Sequence, residues 1–148
     1  LPADDTAIPY GDPVPVAGTP MDFTTPHTIG ERIDEPFEQL IFGRGYDHCY
    51  ALDKGNGTYA EGAYCLSPRT GITMTVYTTE PGIQLYTANW LAGKSEGKKG
   101  MFYPSQSAFC LETQHYPDSP NHPQYPTTLL RKGETFTSRT TFAFGIEK

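Results

Sequence analysis

From Gly45 onward, polar and apolar positions alternate in short runs separated by glycine- and proline-bearing clusters. Residues 46–52 alternate, Gly55-Asn56-Gly57 turns, 59–66 run back, 67–71 turn again, and 72–79 return with Ile72, Met74 and Val76 on one face. Period-2 patterning of this kind marks half-buried strands, and the turn clusters between them predict an antiparallel meander. Glu80-Pro81-Gly82 places Pro and Gly at the two central positions of a type II turn, leading into a fourth strand over 83–88. A strand over 109–115 would set Phe109, Leu111 and Thr113 on one face and Cys110, Glu112 and Gln114 on the other. The last strand, 135–147, lines up Phe136, Phe142, Phe144 and Ile146.

The rest of the chain is less regular. Pro9, Pro13, Pro15 and Pro20 keep residues 1–26 from forming a helix, leaving short extended pieces at 14–17 and 21–23. Residues 31–40 hold a short helix pattern broken at Pro36. The segment 93–100 reads as a lysine-bearing loop, and 116–126, with Pro117, Pro120, Pro123 and Pro126, as an extended loop. No repeat recurs at a fixed period.

Composition agrees with the pattern. With 15 Gly, 14 Pro, 10 Tyr, 8 Phe and one Trp, the 148 residues are turn-rich and aromatic, as short strands require, and suffice for one domain. The expected class is all-β. A formal charge of −6 argues against a nucleic-acid surface, since phosphate neutralisation needs clustered Lys and Arg, and only Lys94, Lys98 and Lys99 cluster. No stretch is long enough to span a bilayer, so no membrane partner is expected. The chain opens on Leu1-Pro2-Ala3 without an initiator Met or a signal-like apolar run and reads as entered in the middle. Cys49, Cys65 and Cys110, an odd number without the spacing of a disulfide framework, are expected as buried free thiols, which fits the cytoplasm and also allows an exported protein. Asn56-Gly57-Thr58 matches a glycosylation acceptor but is better read as a tight turn.

Glu112, mid-strand on a polar face, has two readings: an exposed edge-strand carboxylate, or a general base or sugar-hydroxyl acceptor on a rigid element. Three segments bear on the choice: Gly45-Tyr46-Asp47-His48, Glu80-Pro81-Gly82-Ile83-Gln84-Leu85-Tyr86-Thr87-Ala88-Asn89, and Phe109-Cys110-Leu111-Glu112-Thr113-Gln114. Their order and spacing, the trailing Pro117-Asp118, Asn121, Pro123 and Leu130-Arg131-Lys132-Gly133-Glu134, and the opening Leu1-Pro2-Ala3-Asp4-Asp5-Thr6 closely resemble the aldose 1-epimerases, or galactose mutarotases. The resemblance covers essentially the whole chain but only about the C-terminal half of a family member.

The resemblance implies an antiparallel β-sandwich of the galactose mutarotase type, with residues 1–148 as its C-terminal portion. It also implies interconversion of the α and β anomers of free hexoses, galactose and glucose, by acid-base ring opening and closure. Glu112 falls on the family's catalytic base, Asp47 on its sugar-binding aspartate and Gln84 on a substrate-binding glutamine. No cofactor or metal is implied. The expected partners are the monosaccharide substrate and the N-terminal half of the same protein, because the family's catalytic acid histidine lies upstream of Leu1. His48 follows Asp47 and points to the opposite strand face, a structural role. His27, His115 and His122 lack metal-ligand spacing and are expected in surface or loop roles. Trp90 and Tyr86 are read as core aromatics or as a platform for a sugar face.

The alternatives are a carbohydrate-binding or catalytically dead mutarotase-like module, a hexose-6-phosphate 1-epimerase, and a glycosidase using Asp47 and Glu112 as a carboxylate pair. The sugar-phosphate reading needs a basic pocket, and Arg32, Arg44, Arg69, Arg131 and Arg139 are dispersed along the sequence.

Overall fold

The computed structural model describes residues 1–147. Its strands are β1 (Asp47–Ala51), β2 (Ala60–Leu66), β3 (Ile72–Thr78), β4 (Gly82–Tyr86), β5 (Cys110–Gln114) and β6 (Thr140–Ile146). Among the described residues helical structure is limited to α1 (Glu38–Gly43) and single 3-10 turns at Ile29–Glu31, Lys98–Gly100 and Ser119–Asn121. Among the described residues no helix is long and apolar enough to cross a membrane.

The strand positions match the alternation, but their pairing differs from the expected meander. The sheets have the orders β1-β4-β5 and β2-β3-β6. Of the four successive runs, only β2 and β3 form a hairpin. Its turn works because Gly71 adopts a φ of 73° and donates its N–H to the Ser67 carbonyl at 2.8 Å. A Cβ at that position would come within 2.4 Å of the Glu147 carbonyl oxygen. Between β3 and β4, Gly82 is not among the residues with positive φ, so the type II turn expected there does not form. Pro81 is fully buried, and a residue without an N–H cannot continue a ladder. The break at Glu80-Pro81 therefore separates strands that alternation alone makes look like neighbours.

The helix also moves. It begins after Pro36, not before it, buries Gln39 and Leu40, and ends where Arg44 turns left-handed at φ 55°. Residues 14–17 and 21–23 lie outside any strand. β6 begins only at Thr140, which leaves Phe136 outside the sheet.

The chain divides into two compact units, Leu1–Tyr50 with Gln84–Cys110, and Ala51–Ile83 with residues 111–147. In the first, the core gathers Met21, Ile33, Leu40, Tyr46, Cys49, Leu85 and Ala88. Tyr46 is fully buried and satisfies its hydroxyl on the Pro20 carbonyl at 2.9 Å, while Phe23 meets its ring edge-on. The Gln39 amide clamps Ala3, accepting from its N–H at 2.7 Å and donating to its carbonyl at 2.9 Å.

In the second unit, β3 pairs antiparallel with both neighbours, setting Met74 opposite Cys65 and Phe144, and Ile72 opposite Ile146. A bulge between Glu61 and Ala63 interrupts the β2 ladder. The apolar face is closed at one end, where Val76 and Thr78 are fully buried, and open at the other, where Phe144 is 72% and Ile146 75% exposed. Of the three cysteines only Cys49 is buried; Cys110 is exposed, contrary to the expected set of buried thiols. Cys110 shares the outward face of β5 with Glu112, so its position in the alternation, not its residue type, decides.

Candidate functional site

The first unit builds its site on a backbone clamp. Asn89, buried at the end of β4, donates through Nδ2 to the carbonyls of Gly43 and Tyr46, both at 2.8 Å. Its Oδ1 accepts the Thr87 hydroxyl at 2.6 Å, and the same hydroxyl oxygen accepts the Tyr46 N–H at 3.1 Å. Gly45, at φ 129°, is required here, because a Cβ would stand 2.5 Å from Asn89 Oδ1. The clamp fixes the start of β1 against the end of β4, and with it the residues on either side: Arg44, Asp47 and Trp90.

Asp47 is half-buried. The Gln84 amide donates to its Oδ1 at 2.8 Å and the Trp90 indole N–H to its Oδ2 at 3.4 Å. Both donors are neutral, so they orient the carboxylate without cancelling its charge. Each carboxylate oxygen has room for a second donor. Gln84 points its Nε2 toward the carboxylate because the reverse orientation would set two acceptors face to face. Its Oε1 is buried and has no partner among the described residues. A buried acceptor without a donor costs about 1–3 kcal/mol, a cost that a hydroxyl group entering beside it would relieve.

Trp90 is 53% exposed and Arg44 lies over its ring at 4.4 Å from the centroid. Its backbone N–H donates to the Tyr86 hydroxyl at 3.2 Å. Trp90 is therefore not a core aromatic. His48 faces the other way, buried, and accepts the Asp47 N–H at Nδ1 at 3.0 Å. Burial pushes its pKa down to about 4, against the pull of the Asp47 charge, so it is neutral near neutral pH. It is structural, as its place in the strand predicts.

The second unit carries Glu112. Along β5, Cys110 and Glu112 are exposed while Leu111 and Thr113 are half-buried, matching the alternation in the sequence. The inward face is pinned: the Thr113 hydroxyl meets that of Thr140 at 2.6 Å, and Thr140 meets Thr78 at 3.2 Å. One residue beyond β5, His115 Nδ1 pairs with Glu80 Oε2 at 2.6 Å, with side chains 17% and 7% exposed. Glu80 is held further by its backbone, whose N–H donates to Thr78 Oγ1 at 3.0 Å and whose carbonyl accepts Lys54 Nζ at 2.6 Å.

His115 thus stands in the loop just past β5, as expected, but its ring is mostly covered and paired with Glu80. It stands in the same inward register as Leu111 and Thr113, where an imidazole needs a polar partner, and Glu80 supplies one. The sequence did place Glu80 within a motif, but only as a turn residue. Its inward direction follows from the break at Pro81, which alternation does not show. The other histidines form local pairs, His27 with Glu31 at 3.2 Å and His122 with Asp118 at 3.3 Å. Among the described residues no three His, Cys, Asp or Glu side chains group as metal ligands.

Of the sequence-derived site residues, then, Asp47 and Gln84 are in direct hydrogen bond within the first unit, and Glu112 stands exposed on β5 in the second. Arg44, with its guanidinium over Trp90, was not singled out as a site residue from sequence. Only the left-handed cap of a helix whose boundary the sequence misplaced brings it there.

Comparison with known proteins agrees with these assignments of fold and motif. The chain is 40% identical over 146 residues to the galactose mutarotase of Homo sapiens, covering 99% of this chain and 41% of that protein. It is 36% identical over 151 residues to the aldose 1-epimerase of Escherichia coli, with 99% and 42% covered. The crystal structure of a GalM/aldose epimerase homologue from C. elegans superposes with a TM-score of 0.75 at 24% identity, covering 99% of this chain and 42% of that one. The fold is therefore the all-β, antiparallel sandwich class of the mutarotases, and the chain spans about two-fifths of the length of the relatives it matches. The family model for aldose 1-epimerase matches residues 1–143, and the chain belongs to that family.

Proposed function

We propose that residues 1–148 are the C-terminal portion of an aldose 1-epimerase that interconverts the α and β anomers of free galactose and glucose. The observation that carries this reading is the Asp47 carboxylate, half-buried, fixed by two neutral donors and left with acceptor capacity for sugar hydroxyls. A carboxylate meant only to cap a turn needs no such second layer of support.

In this reading Asp47 and Gln84 accept and donate to ring hydroxyls and so fix the sugar's orientation, a large share of any rate gain. Glu112 removes the proton from the anomeric hydroxyl. The C1–O5 bond breaks as the ring oxygen is protonated by an acid from the rest of the protein. The C1–C2 bond then rotates, and the hydroxyl adds back to the opposite face of the carbonyl, returning both protons. Such base catalysis contributes about 10²–10⁴-fold. The arginines support a free over a phosphorylated hexose: Arg32 donates to the carbonyls of Thr19 and Asp22, while Arg44 and Arg139 lie over Trp90 and Tyr59.

The N-terminal part of the whole protein is the partner we assign to the open face of the β2-β3-β6 sheet. Phe142, Phe144 and Ile146 there expose more apolar surface than an isolated domain tolerates well. Cys65 and Cys110, which form no disulfide among the described residues, support a reducing compartment, the cytoplasm.

Polarimetry of freshly dissolved α-galactose tests the activity. The whole protein should speed the decay of optical rotation many-fold, competed by glucose and not by sugar phosphates. A decay no faster than in buffer overturns the assignment.

A further inference from the structure

The only tryptophan in the sequence is held in place at several points and yet left half open. Its neighbour Asn89 fixes the backbone, its indole N–H is directed at Asp47, and Arg44 covers one ring face at 4.4 Å from the centroid. A tryptophan that merely covers core has its apolar area buried; this one has 53% of its surface in solvent. Its ring is anchored to the same carboxylate that the Gln84 amide orients, with the unpartnered Gln84 Oε1 alongside.

We propose that the open face of Trp90 is the platform on which the C–H face of a pyranose ring lies, with Arg44 setting its angle from behind. This rests on the reading of Asp47 and Gln84 as hydroxyl-binding groups and names the feature of the sugar they select. Stacking on an indole favours a sugar with one ring face lined by C–H groups. Galactose has such a face because its axial 4-hydroxyl projects from the other side, whereas the equatorial hydroxyls of glucose spread around the rim. Trp90 is therefore a specificity-determining residue that favours galactose. Because Arg44 and the Asn89 clamp hold the ring before any ligand arrives, little side-chain freedom is lost on binding. The Arg44 guanidinium also anchors the indole by a cation–π contact, which truncation to alanine would remove.

The test titrates galactose and glucose into the whole protein, reading the heat of binding in parallel with the part of the tryptophan emission that Trp90→Phe removes. Emission should change saturably, with the same midpoint as the heat. Trp90→Ala should weaken galactose binding about tenfold, glucose binding less, and Trp90→Phe, which keeps an aromatic face, only about threefold. Heat on titration with emission unmoved, or with Trp90→Ala binding galactose as tightly as the parent, overturns the platform and leaves the roles of Asp47 and Gln84 standing. No heat from the whole protein with either sugar overturns both.

Discussion

Asp47 in the first unit and Glu80 in the second are both carboxylates tied down by a partner within 2.8 Å, and they have opposite fates. Asp47 is half-buried and bonded by an amide and an indole N–H, neither of which can take its charge or fill its lone pairs. Glu80 is almost wholly buried and meets an imidazole at 2.6 Å, so its outward capacity is spent inside the protein. The lesson is that a short hydrogen bond does not by itself mark a site. The nature of the donor and the access that remains separate a carboxylate with acceptor capacity left over from one whose capacity is spent on the fold. Glu112 completes the series: it is exposed, and the inward face of its strand is secured by the Thr113–Thr140–Thr78 hydroxyls.

The largest effect should come from Glu112. Glu112→Gln in the whole protein should slow anomer interconversion about 10³-fold while leaving the unfolding midpoint in place, since the side chain is exposed. Polarimetry and thermal unfolding read the two properties separately, and a large loss of stability would show that this carboxylate belongs with Glu80.

Next is the Glu80–His115 pair. Glu80→Ala leaves a largely covered imidazole without its partner and should destabilise the chain by about 2–3 kcal/mol in urea unfolding. Glu80→Gln with His115→Asn, which restores a neutral hydrogen bond, should recover much of that. If sugar affinity falls in the repaired double variant while stability returns, the division between the two carboxylates fails.

His48 gives a smaller effect with a definite sign. Its pKa of about 4 in the folded chain lies below the usual 6.5, so the unfolded chain binds the proton more readily. The stability it contributes is fully present above about pH 6.5 and is lost as pH falls toward about 4. Between about pH 7 and about pH 5 the loss from this group should be about 2 kcal/mol, and His48→Gln should flatten that part of the urea-unfolding profile.

Smallest is Gln84→Ala, which removes the amide from Asp47. Galactose affinity should drop about tenfold by calorimetry, with stability changed by no more than about 1 kcal/mol.

Much of this was legible from the chain itself. Alternation located every strand closely except the start of β6, expected at 135 and found at Thr140, and placed Glu112 on the outward face of β5, because a period of two is a local property. The motifs carried Asp47 and Gln84, and the structure puts those two in direct contact. Pairing was not legible. Whether consecutive strands become neighbours depends on what happens between them, and at Glu80-Pro81 a buried proline ends one strand's ladder and sends the next to another sheet. The Glu80–His115 pair went unseen for the same reason, since its members are 35 residues apart and meet only once the sheets are ordered. For Trp90 the sequence favours a core role over an exposed platform, and the structure leaves it half exposed. Its ring is covered on one face by Arg44, the left-handed cap of a helix that runs on to Gly43 where the sequence pattern ends it at residue 40.

The claim on which the rest depends is that the Asp47 carboxylate is reserved for a sugar. Calorimetric titration of galactose into the whole protein carrying Asp47→Asn, beside its unsubstituted parent, measures it most directly, because the substitution keeps shape and removes charge and one acceptor. The account predicts that the variant stays folded and binds galactose at least about tenfold more weakly. An Asp47→Asn chain that binds galactose as tightly as the parent would contradict it.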